Sequence, residues 1–137
     1  MTLSIQYVPV DYAAQSWGQV EELVAKAIPY SNGDFTLEQL KLLVCTGQQL
    51  LLVAVDENND VHGASTVLFV NGANDRTAII TTMGGKLITG SDEFSQMCRV
   101  LRQQGATKIH AYVRPSMARM LKKHGFDEVA ALVEVKL

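Results

Sequence analysis

The stretch GATKIHAYVRPSMARMLKKHGFDEVAALVEVKL, residues 105–137, passes from a glycine stop into a short strand, a helix and a second strand. Residues 108–113 alternate apolar Ile109, Ala111 and Val113 with His110 and Tyr112, the period-two signature of a strand. Pro115 suits the first turn of a helix, where its missing N–H costs nothing. Met117, Met120, Leu121 and His124 share one side of that helix, and Gly125 is placed to end it. Residues 126–137 then read as a closing strand through Val129, Leu132, Val133 and Val135.

Upstream, Phe94, Met97, Cys98 and Leu101 recur at i, i+3, i+4 and i+7, one apolar stripe of a helix that stops at Gly105. A strand over residues 76–83 precedes it. Strand, helix and strand form a crossover, so residues 76–83 and 108–113 should run parallel. The middle of the chain is strand-rich: residues 49–55 form an apolar run buried on both faces, and residues 61–70 follow after the turn DENND. NGAND makes the next turn, giving a three-strand antiparallel meander. At the front, residues 3–9 alternate and stop at Pro9. Trp17, Val20, Val24, Ala27 and Ile28 mark a first helix that Asp11 can cap and that ends before Pro29. After the loop PYSNGDF, Thr36 and Gln39 make a capping box for a second helix over residues 37–45.

Composition limits what such a domain does. With 137 residues the chain fits one domain, and its 47% apolar and 19% charged residues describe a packed protein rather than a disordered one. A net charge of -2 supplies no footprint for nucleic-acid phosphates. Cys45 and Cys98 each sit among apolar residues in helical stretches, and no partner ligand lies at metal-binding spacing, so neither a disulfide nor a metal is expected. No signal peptide is visible, and the apolar run at residues 50–55 is too short for a bilayer. A cytoplasmic protein without membrane or nucleic-acid partners is the expectation.

The element order β, α, α, β, β, β, α, β, α, β, with Gly105, Val113 and Gly125-Phe126 in corresponding places, resembles the GNAT superfamily of N-acetyltransferases over essentially the whole chain. The resemblance implies an α+β fold: a mixed, mostly antiparallel sheet, a parallel splay between the fourth and fifth strands, and about four helices. It implies acetyl-CoA as co-substrate and an amine of a small molecule or protein as acceptor. Paired edge strands in a homodimer are a further implication. The compact size is also similar in style to small GNAT-like proteins of bacteriophages, without a distinctive motif.

Carried onto this sequence, the resemblance places acetyl-CoA between residues 79–83 and 109–113. Met83 would contact the thioester arm. The pyrophosphate turn would be residues 84–91, with Gly84, Gly85, Lys86, Gly90 and Ser91 as its binding residues. A helix N-terminus suits an anion because its amides are unpaired and its dipole is positive there. The family's Q/R-x-x-G-x-G/A pattern is not restored in either register, however, and Asp92 and Glu93 set two carboxylates in the first helical turn. The family's tyrosine acid corresponds to Leu121, which cannot donate a proton, and Arg114 stands where an Asn is usual.

His110 and Tyr112 are the candidate proton carriers, each with a structural reading beside it: an exposed strand residue and a packed aromatic. Tyr30 and Asn32 in the first interhelical loop are the candidate acceptor pocket, or simply part of a connection. Asp56, Glu57 and Asp60 read as solvating turn charges. Three functions stay open: an active acyltransferase, a retired GNAT-like domain used for binding or structure, or an unrelated α+β ligand-binding domain with a similar element order.

Overall fold

The computed structural model describes residues 2–31 and 34–137. In chain order the elements are β1 (Ser4–Val8), α1 (Val10–Ala27), a 3-10 turn (Ile28–Tyr30), α2 (Leu37–Cys45), β2 (Leu50–Val55), β3 (Val61–Asn71), β4 (Arg76–Gly85), α3 (Ser91–Gln103), β5 (Lys108–Ala111) and α4 (Pro115–Lys122). The five strands form one sheet in the order β1-β2-β3-β4-β5. All neighbours are antiparallel except β4 and β5, which run parallel across the α3 crossover. No helix among the described residues is long and apolar enough to cross a membrane.

The sheet is covered on both faces, which explains the unbroken apolar run of β2. Leu51, Val53 and Val55 point to α1 and α2, packing with Trp17, Val20, Val24, Leu40 and Val44. Leu52 and Ala54 point the other way, to Met97 and Leu101 of α3 with Ile5, Val67 and Ala78. Full burial of each such Val, Leu or Met side chain is worth about 1.5–3 kcal/mol, so this strand anchors two layers at once.

Local signals set the helix boundaries. The capping box forms: the Thr36 Oγ1 accepts from the Gln39 N–H at 3.2 Å, and Gln39 Oε1 accepts from the Thr36 N–H at 2.9 Å. At the end of α3, Gly105 takes φ +88°, and the Ala106 N–H donates to the Leu101 carbonyl at 3.1 Å. That pair closes a Schellman motif, which needs a left-handed residue at this point.

Three expectations are corrected. Pro9, not Asp11, is the N-cap residue of α1, and no side chain caps it. Asp11 lies in the first turn instead, where its carboxylate meets the positive end of the helix. Asp56 does more than solvate its turn. Its Oδ1 accepts from the N–H groups of Asn58 and Asp60 at 2.8 and 3.0 Å, and its Oδ2 lies 2.7 Å from His62 Nε2. The bond to His62 holds the Asp56 carboxyl below its ordinary range. Finally, residues 126–137 form no strand. Their alternation has no partner among the described residues, and a strand exists only through the hydrogen bonds of a neighbour.

Candidate active site

The central feature arises in the pairing of β4. Thr66 on β3 faces Thr82, but the next residue, Val67, faces Ile80, so Thr81 is the extra residue of a β-bulge. A bulge bends the strand that carries it and increases its local twist. On its other side β4 pairs with β5 only from Thr77↔Lys108 to Ile80↔Ala111. At Thr81 the two parallel strands part, and residues 82–85 pair with β3 alone. The result is a splay in which one backbone edge of β4 has no strand partner among the described residues.

Buried hydroxyls hold the bulge. Thr66 Oγ1 lies 2.7 Å from Thr81 Oγ1 and 2.6 Å from Thr82 Oγ1. Thr81 Oγ1 donates to Gln49 Oε1 at 2.6 Å, and Ser65 Oγ donates to the Thr82 carbonyl at 2.7 Å. Each of these residues is buried, so each bond matters more than it would in water. Gln49 Nε2 has no hydrogen-bond partner among the described residues. The sequence carried a signal for this cluster: Thr81 and Thr82 interrupt an otherwise apolar buried strand, yet periodicity alone does not reveal a bulge.

Below the splay the chain departs from the expected turn. Gly84 and Gly85 belong to β4 rather than to the loop. A Cβ on Gly84 would lie 2.3 Å from the Leu23 carbonyl of α1, and one on Gly85, at φ +71°, would lie 2.4 Å from the His62 carbonyl. Both glycines permit a close backbone approach. Met83 is half-buried and packs against the α3-side core. Lys86 is exposed, makes no ion pair among the described residues, and donates its N–H to the His62 carbonyl at 2.8 Å. Leu87 folds into the core, and the chain reaches Gly90, the N-cap residue of α3.

No side chain caps that helix, and Ser91 opens it exposed. Its two acids behave differently. The Asp92 Oδ2 accepts from Gln96 Nε2 at 3.0 Å, while Gln96 Oε1 accepts from the Ile5 N–H at 2.9 Å, which draws Asp92 toward β1. The Glu93 Oε2 instead lies 3.2 Å from where a Cβ on Gly90 would stand, over the helix start.

The candidate proton carriers are separated. His110 faces Ile79 inside the paired segment and lines a groove on the outer side of β5. Tyr112 lies beyond the last β4–β5 pair and is 50% exposed. Leu121 is buried. From the first interhelical connection, Tyr30 receives the Arg114 guanidinium over its ring at 4.3 Å, which joins that connection to the start of α4. No sequence signal links these two residues. Asn32 lies outside the described residues. Cys98 is a poor nucleophile, since burial pushes its thiol pKa up.

No family model matches the sequence, and no curated protein matches it. Solved structures do. The aminoglycoside 6′-N-acetyltransferase AAC(6′)-Ih of Acinetobacter baumannii is 15% identical, with a TM-score of 0.67 over 99% of this chain and 98% of that one. Glucosamine-6-phosphate N-acetyltransferase of Arabidopsis thaliana is 11% identical, with a TM-score of 0.62 over 99% of each chain. A protein of Clostridium acetobutylicum described as a predicted acetyltransferase, solved with acetyl-CoA, is 13% identical, with a TM-score of 0.63 over 98% and 96%. The chain has the mixed α+β fold of the GNAT acetyltransferases.

Proposed function

We propose that this chain is an acetyl-CoA-dependent N-acyltransferase that carries an acetyl group to an amine of a small molecule or protein. The observation that carries this reading is the parting of β4 from β5 after Ile80↔Ala111, which leaves residues 81–85 with one backbone edge unpaired by a strand. Such an edge offers N–H and C=O groups in a row, as an extended amide-bearing arm requires. The shared fold supports it, as do the aminoglycoside and glucosamine phosphate in the names of two neighbours, both amine-bearing small molecules.

The residues present fit acetyl-CoA unevenly. Residues 83–85 would hold the pantetheine arm by backbone. Lys86, Gly90 and Ser91 would face the pyrophosphate, with the uncapped start of α3 adding its dipole. Glu93 opposes this, because its carboxylate lies over the same helix start. In acyl transfer the amine nitrogen bonds to the thioester carbon and gives up a proton to a base or water, the C–S bond breaks, and the departing thiolate takes a proton. Tyr112 stands past the split and is the residue here suited to donate it; His110 is the second candidate. Tyr30 and Arg114 would flank the acceptor, with Asn32 two residues after Tyr30 in sequence.

Calorimetric titration of the whole chain with acetyl-CoA and with CoA tests this. Binding in the micromolar to low-millimolar range is expected, and no heat at millimolar ligand sinks the reading. Lys86→Glu should abolish binding, while Asp92→Asn with Glu93→Gln should tighten it about two- to thirtyfold. A second reading, a fold kept for binding without catalysis, is favoured by Glu93 at the helix start and the buried Leu121. It predicts no acetyl transfer to any amine even where acetyl-CoA binds.

A further inference from the structure

Arg76 and Arg114 both lie over aromatic rings, and they differ in what their edges do. The Arg76 guanidinium sits 4.4 Å from the Phe69 ring centre, and its edge is occupied: Nε donates to the Gln104 carbonyl at 3.0 Å and Nη1 to Asn71 Oδ1 at 3.0 Å. The Arg114 guanidinium sits 4.3 Å from the Tyr30 ring centre, yet it forms no hydrogen bond and no ion pair among the described residues. Stacking takes one face of the group and leaves its N–H donors pointing outward in a fixed fork. Carboxylates and phosphates accept from that fork in bidentate fashion.

The chain sets this fork at the mouth of the splay. Ala111 is the last residue of β5 to face β4, and Arg114 follows it by three residues. Three residues span at most about 10 Å, so the backbone of Arg114 stays close to the point where the strands part. On the opposite wall the end of α1 rests on the open end of β4, where Gly84 packs against the Leu23 carbonyl and the Ala27 side chain. Tyr30 follows Ala27 by three residues. The Tyr30–Arg114 contact therefore joins the two walls of the split. The chain from Tyr112 to Lys123 adds Arg119, Lys122 and Lys123 to Arg114 and contains no acid.

We infer, on the reading that this site transfers acetyl groups, that its acceptor is a small amine that also carries an oxyanion, either carboxylate or phosphate. Arg114 grips the oxyanion with its open edge while the amine points into the split. Tyr30 holds the fork in orientation, so little side-chain freedom is lost on binding. A polycationic amine meets the uncompensated charge of Arg114 and is selected against. Because Arg114 stands where the resembled family usually carries an Asn, this preference belongs to the present chain.

Calorimetric titration of the whole chain, with CoA present, tests this on matched amines: β-alanine against its amide, and phosphoethanolamine against ethanolamine, with spermidine as the polycation. The oxyanion member of at least one pair should bind at least about tenfold tighter than its partner, and the pair that shows it tells carboxylate from phosphate. Arg114→Gln should remove the preference. Arg114→Lys should restore part of it, since the charge returns without the fork, and Tyr30→Leu should fall between. Both side chains are exposed, so these variants should fold as the parent does. Where thiol release from acetyl-CoA is followed, the loss in Arg114→Gln should lie in KM rather than kcat. Equal affinities within both pairs, tighter binding of spermidine, or no heat from any oxyanion probe at about 10 mM would overturn the inference. So would a preference that survives Arg114→Gln, or a loss of acetyl-CoA affinity in that variant, which would assign the fork to the cofactor's phosphates. A preference that Arg114→Gln removes, found without thiol release to any amine, would retire acetyl transfer and leave the oxyanion site standing.

Discussion

The two ends of β4 differ in everything except the strand they share. From Thr77 to Ile80 the strand is paired on both sides, and its apolar residues Ala78 and Ile80 belong to the α3-side core. From Thr81 to Gly85 it has one partner, its buried side chains are hydroxyls, and its glycines touch other backbone. The first end needs only apolar volume. The second must bend, stay open on one edge and still satisfy its buried polar atoms. One strand is thus a doubly paired scaffold for half its length and an open edge for the other half.

The most damaging way to test this division is Gly84→Val. A side chain meeting the Leu23 carbonyl should cost at least about 3 kcal/mol in urea unfolding. If the variant is as stable as the parent and loses only acetyl-CoA binding, Gly84 serves the ligand and not the packing. Thr81→Val keeps the shape but removes the hydroxyl that reaches Gln49, and should cost about 1–3 kcal/mol. The same change at Thr77, buried at the paired end with no side-chain hydrogen bond among the described residues, should stay within about 0.5 kcal/mol. Equal costs would erase the distinction between the two ends.

The smallest effect belongs to the ion pair at the paired end, where Asp75 meets Lys108 at 3.1 Å. The Lys108 ammonium, with the Thr107 hydroxyl, holds the Asp75 carboxyl below its ordinary range. A carboxyl lowered on folding contributes stability above its unfolded value, and that contribution is lost as pH falls through the folded one. Stability measured from about pH 5 downward should therefore fall less steeply in Asp75→Asn than in the parent. Because the pair is exposed, about 150 mM salt should shrink the difference further. An identical acid limb would mean that the pair contributes nothing to folding.

Much of the scaffold was legible because its signals are local. Thr36 and Gln39 define the start of α2 through bonds that span three residues, and Leu37–Cys45 is the helix that results. The doubly buried run of β2 and the parallel β4–β5 pair followed from apolar pattern and crossover length. The splay was legible as a parting of residues 79–83 from 109–113, but not its detail: Gly84 and Gly85 were read as part of a turn over residues 84–91, although they end a strand. His110 and Tyr112, neighbours on one face by periodicity, fall on opposite sides of the point where pairing stops.

The sequence by itself determined the order of the elements from β1 to α4, the two-sided burial of the sheet and the anion-unfriendly charge of Asp92 and Glu93, since periodicity, caps and charge are carried by neighbouring residues. Only the tertiary structure decided the bulge at Thr81, the tight approach of Gly84 to α1, the opposite turning of Asp92 and Glu93, and the unpaired state of residues 126–137. Each of these depends on a partner distant in the chain. A strand pattern in particular is half of a hydrogen-bond ladder, and the other half is supplied by whatever chain lies beside it.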